Sequence, residues 1–107
     1  MNRKHFIGAL ITTSTALSSF KAPAGAALNI PPSLKPGDTI GITSPAGYIT
    51  LEELQPAIRQ IESWGLKVRI GNTIGKRDFS FGGTDAERAN DLQQMLDDAS
   101  VKAVMCA

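Results

Sequence analysis

The stretch LKPGDTIGITSPAGY, residues 34–48, sets a turn, a short apolar run and a loop of small residues in direct succession. Lys35, Pro36, Gly37 and Asp38 have turn chemistry, because proline pre-sets its φ and glycine accepts conformations that other residues resist. Thr39–Thr43 then reads as a short buried strand. The loop that follows, Ser44, Pro45, Ala46 and Gly47, hands that strand over to a helix. In open α/β sheets ligands bind in the crevice at the carboxyl ends of strands, so these four residues are the candidate lining of a substrate groove.

Working outward, Thr50 opens the helix with a capping box to Glu53, in which hydroxyl and carboxylate each take one orphan amide proton. Leu51, Leu54, Ile58 and Ile61 follow at helical spacing and predict one apolar face. Pro56 falls within the first two turns, where fewer hydrogen bonds are lost, and Gly65 supplies the stop. LKVRIG, residues 66–71, alternates as a second strand nearer a sheet edge. After an irregular connection over residues 72–83, Thr84 repeats the capping box with Glu87. Ala89, Leu92 and Leu96 predict the apolar face of a second helix, and VKAVMCA from Val101 predicts a third strand. This βαβαβ order implies an α/β fold with a Rossmann-like parallel sheet. Parallel sheets are covered on both faces, and two helices do not cover three strands, so the expectation is the N-terminal part of a larger, two-domain protein.

Upstream, Pro31, Pro32 and Pro36 mark an extended lead-in without backbone donors. Residues 1–26 have the anatomy of a secretory signal peptide: Arg3 and Lys4 at the start, an uncharged run over residues 6–20, and small residues at A-x-A spacing in APAGAA. The uncharged run is well short of the ~20 residues that span a bilayer, so export to the periplasm or beyond is expected, with no stable membrane anchor. Cleavage would leave residues 27–107 as the mature domain. It would move the balance from 11 basic against 10 acidic residues to 8 against 10. Such a mildly acidic piece, without basic blocks interleaved with aromatics, predicts no nucleic-acid partner.

The motifs weighed for chemistry are weak. Cys106 is the single cysteine and His5 the single histidine, which excludes an internal disulfide and a multi-Cys zinc site; no metal or cofactor is expected. Cys106, beside Val104 and Met105, reads as a small buried hydrophobe. Ser44 lacks a nucleophile elbow and a mature histidine to activate it. GNTIGKR, residues 71–77, misses the phosphate-loop spacing, and no G-x-G-x-x-G follows the first strand. Arg88 reads as a solvated or structural charge, and Asp97 with Asp98 as a solvated helix end.

Taken together, LKPGDTIGITSPAG, GLKV, GGTDAERANDLQQMLDD and VKAVMCA resemble the N-terminal part of the serine L,D-carboxypeptidases, also called muramoyltetrapeptide carboxypeptidases. The resemblance implies a Rossmann-like domain followed by a second one, with the active site between them. It implies a serine that attacks the amide before the terminal D-alanine of a peptidoglycan tetrapeptide, activated by a glutamate and a histidine, without metal. These catalytic residues are expected after Ala107, so none is assigned here and the 107-residue chain is expected to be inactive. A muropeptide substrate, and a homodimer of the full-length protein, complete the expectation. A microcin-immunity peptidase of the same family, a non-catalytic binding module and a truncated gene product are the alternatives.

Overall fold

The computed structural model describes residues 27–107 together with Gly25. Apart from Gly25, the expected leader over residues 1–26 lies outside the described residues. The chain divides into two compact units, Met1–Pro31 and Pro32–Ala107. In the first, the Ala27 amide donates to the Gly25 carbonyl at 2.8 Å. The second holds every strand and helix among the described residues.

Its elements are β1 (Thr39–Thr43), α1 (Leu51–Ser63), β2 (Lys67–Ile70), α2 (Asp85–Asp97) and β3 (Val101–Cys106), as the local signals predict. Both capping boxes are formed, Thr50 with Glu53 and Thr84 with Glu87. Gly65 ends α1 with a φ of 81°, a left-handed conformation that costs glycine little. The three strands are parallel and ordered β2-β1-β3, with Ile40 level with Val68 on one side and Ala103 on the other. The second strand is at an edge, as expected.

Because side chains alternate along a strand, β1 has two different faces. Ile40 and Ile42 point one way and pack with Leu54, Ile58 and Ile61 of α1, with Val68, Ile74 and Ala103 around them. Each such side chain, fully buried, contributes roughly 1.5–3 kcal/mol. Leu51, in the first turn, stays exposed. Gly41 and Thr43 point the other way, toward α2: a Cβ on Gly41 would stand 2.6 Å from Met95 Sδ, and Thr43 bonds Asp91. The two helices therefore cover opposite faces of β1.

Two expectations are corrected. The buried residues of α2 are Asp91 and Met95, while Ala89 and Leu96 are exposed and Leu92 only half-buried. The inner face of α2 meets the narrow, polar side of β1, and its apolar stripe turns away from the sheet. Cys106 is exposed rather than buried, because among the described residues β3 is paired only along its β1 side. Asp98 also does more than end a helix, pairing with Arg69 of β2 and accepting from the Ser100 amide at 2.9 Å.

Candidate functional site

From β1 the chain passes through α1 to β2 on one side, and α2 then carries it from β2 back across β1 to β3 on the other, so the strand order reverses direction about the central strand. The carboxyl end of that strand is the position at which open α/β sheets take ligands. Residues 44–49 emerge there, and the long connection over residues 71–83 folds against them.

Of the four predicted groove residues, Ser44 is 0 % exposed, Pro45 is half-buried, and Ala46 and Gly47 are exposed. Ser44 therefore lies beneath the loop and shapes it. Its hydroxyl donates to the Gly47 carbonyl and its amide donates to Thr73 Oγ1 at 2.9 Å. The outward edge is Pro45, Ala46 and Gly47, followed by the exposed ring of Tyr48.

The later connection clamps this edge. The Gly82 amide donates to the Ala46 carbonyl at 2.9 Å and the Tyr48 amide to the Ser80 carbonyl at 3.3 Å. Gly82 must be glycine for this approach, since a Cβ would fall 2.6 Å from the Ser44 carbonyl oxygen. Arg88 supplies a third hold: its guanidinium donates to the Pro45 carbonyl at 2.9 Å and the Gly83 carbonyl at 3.2 Å, pairs with Asp85, and lies 4.5 Å from the centre of the Phe81 ring. The structural reading of Arg88 holds, with the loop itself as its target. Arg77 stacks over Tyr48 at 4.2 Å and donates to the Phe79 carbonyl at 2.7 Å. Phe79 has a φ of 53°, which is uncommon for a bulky residue, and its ring is exposed.

Sequence reasoning missed Asp91. Only 3 % exposed, it accepts hydrogen bonds from Thr43 Oγ1 and Thr73 Oγ1, both at 2.6 Å, and from the amides of Asn72 at 2.8 Å and Thr73 at 3.1 Å. Burial pushes its carboxyl up, but the bonds from Thr43, Thr73 and the two amides together outweigh that and hold it below the ordinary carboxylate value. The available signal was its place four residues before Met95 on one helix face, opposite the small residues Gly41 and Gly71.

Two cavities lie beside α2, and one of them borders the edge. One of about 270 Å³ is lined by Pro45, Asp85, Arg88, Ala89 and Leu92, joining a predicted groove residue to the apolar side of α2. The other, about 230 Å³, lies behind the Asp91 network among Asn72, Lys76, Glu87 and Asn90. Among the described residues there is no histidine, and no group of three or more Cys, His, Asp or Glu side chains could hold a metal ion. None of the described helices is long and apolar enough to cross a membrane. The arrangement offers shape, backbone groups and a fixed guanidinium, and Ser44 has neither exposure nor a base.

A family model described as the LD-carboxypeptidase N-terminal domain matches residues 40–107. The "Probable murein peptide carboxypeptidase" of Bacillus subtilis (strain 168) is 38 % identical over 77 residues, covering 72 % of this chain and 24 % of that protein. Among solved structures, the microcin C7 self immunity protein MccF in its wild-type apo state aligns with a TM-score of 0.67 at 26 % identity, over 72 % of this chain and 24 % of that one. The same protein in complex with aspartyl sulfamoyl adenosine aligns at 0.66, with the same identity and coverage. The chain thus spans about a quarter of the length of the relatives it matches.

Proposed function

Because this chain belongs to the LD-carboxypeptidase family, whose N-terminal domain it carries, we propose that it forms one wall of the substrate groove of an exported serine-type L,D-carboxypeptidase. The substrate is a peptidoglycan tetrapeptide, and the bond cleaved is the amide before its terminal D-alanine. The observation that supports this reading best is the β1 loop: a small-residue edge at the carboxyl end of the central strand, held by Thr73, Gly82 and Arg88, with no activated nucleophile of its own. Such a wall binds and orients, and the serine, its glutamate and its histidine come from the part of the enzyme that follows this domain. Acyl transfer then needs amide donors at the developing oxyanion and no metal. The enzyme acts outside the cytoplasm after loss of residues 1–26, as a homodimer.

The similarity to MccF favours one second reading, a peptidase that cleaves a peptide from a nucleotide-like partner. One experiment separates the two. The complete gene product and the 107-residue chain are incubated with a murein tetrapeptide and with an aminoacyl sulfamoyl adenosine, in the presence of a chelator. Release of D-alanine by the complete product alone is the expected result. Turnover of only the adenosine compound would move the assignment to the second reading, and hydrolysis by the 107-residue chain would overturn the placement of the catalytic groups.

A further inference from the structure

The carboxyl end of β1 is built around a buried carboxylate that the proposed reaction does not use. Oδ1 of Asp91 accepts from one donor and Oδ2 from three. The hydroxyls of Thr43 and Thr73 each have one proton, and both point it at Asp91. Thr73 Oγ1 is left with lone pairs, one of which takes the Ser44 amide proton at 2.9 Å. A directional relay therefore runs from the carboxylate, through one hydroxyl, to the first amide of the groove loop.

Gly71 makes room for it. A Cβ there would stand 2.5 Å from Asp91 Oδ2 and 2.8 Å from the Ile42 carbonyl oxygen, so only glycine lets the carboxylate reach the strand end. A buried charge is a poor device for cohesion alone, since a well-packed apolar side chain often serves as well or better. What a carboxylate adds is direction, because each donor around it must aim at one of two oxygens.

We propose that Thr73, its hydroxyl aimed by Asp91, is a positioning residue: it fixes the backbone at Ser44 and so the shape that Pro45, Ala46 and Gly47 present to a ligand. That this ligand is a murein peptide rests on the function proposed above; the relay itself does not.

Thr73→Val removes the relay hydroxyl at nearly constant volume, and Thr73→Ser keeps it. In the full chain, hydrogen exchange at the Ser44 amide is expected to quicken about tenfold in Thr73→Val relative to the amides of α1, the order of magnitude of one lost hydrogen bond, and to return in Thr73→Ser. In the complete gene product the same substitution should raise KM for the murein tetrapeptide about tenfold, leave kcat within about twofold, and be rescued by serine. Ser44 exchange that rises no more than that of α1 overturns the relay. Faster exchange with KM unmoved, in an enzyme that hydrolyses the tetrapeptide, overturns the positioning role. Should the wild-type product hydrolyse no tetrapeptide, the carboxypeptidase reading fails, and the exchange ratio alone decides the relay.

Discussion

The two faces of β1 are made by alternate residues of one five-residue strand, and they do different work. Under α1 the contacts are apolar and interchangeable in kind: Ile40 and Ile42 against Leu54, Ile58 and Ile61. Under α2 they are close, polar and specific: Gly41 beneath Met95, and Thr43 bonded to Asp91. The first face holds the sheet together through area removed from water. The second places atoms, because a hydrogen bond weakens steeply with angle while an apolar contact does not. The first face meets the end of the groove loop through the packing of Ile49, whereas the second reaches its first residue by hydrogen bonds, through Thr73 and Ser44.

A pair of substitutions would break this contrast most sharply. Leu54→Ala, at a buried position of α1, is expected to cost about 3 kcal/mol as lost burial and cavity. Gly71→Ala forces a methyl group into the space of the Asp91 carboxylate and the Ile42 carbonyl, and should cost less, about 1–2 kcal/mol of overpacking. Its effect on the groove loop should be the larger one. Urea unfolding measures the first quantity, and the exchange rate of the Ser44 amide relative to α1 measures the second. Should Gly71→Ala destabilise as much as Leu54→Ala and leave Ser44 protected, the polar face would be an ordinary piece of core.

The difference between the faces also explains what could be read in advance. Local signals were legible: the strand at Thr39–Thr43, both Thr-x-x-Glu boxes and the Gly65 stop all depend on residues within a few positions of each other. The inner face of α1 was legible because hydrophobic periodicity reports burial against an apolar surface. The same rule selected Ala89, Leu92 and Leu96 on α2 and so chose the outward side, since it counts an aspartate as solvent-facing. Asp91 is buried because Gly71 and Thr73, about 20 residues earlier, and Thr43, 48 residues earlier, converge on it. No local pattern encodes that convergence. For the groove loop, its position at the strand end was legible from its small residues. The burial of Ser44 was not, because it depends on Gly82 arriving from the later connection.

Acid offers a second, smaller way to set the faces apart. The Asp91 carboxyl is held below its ordinary value, so its folded pKa lies below its unfolded one. A group of that kind contributes stability that is present above the unfolded value, near pH 4, and is lost as pH falls through the folded value. The apolar face has no titrating group, so the acid-sensitive part of this core is the α2 side. In Asp91→Asn the amide can keep its oxygen toward the three donors at Oδ2 and lose only the Asn72 contact. Stability measured by denaturant from pH 7 to 2 should then fall less steeply below about pH 4 than in the wild type. Equal slopes in the two proteins would show that Asp91 is not a source of the acid sensitivity.

The smallest expected effect compares the two caps, which share one chemistry and differ in one neighbour. Glu53 is held below the ordinary carboxylate value by the Thr50 amide and hydroxyl. Glu87 is held down first by Lys76, whose ammonium lies 2.9 Å from its carboxylate, and then by the Thr84 amide. Lys76 belongs to the connection that clamps the groove loop, so this pair ties the start of α2 to that connection. Both side chains are nearly half exposed, and an exposed pair of this kind is weak and screened by salt. Lys76→Ala should therefore lower the thermal midpoint slightly at low ionic strength and leave it unchanged near 1 M salt, where the screening length is only ~3 Å. A loss that persists undiminished in high salt would show that Lys76 holds the connection through its aliphatic stem, and the α2 face would then depend on packing as the α1 face does.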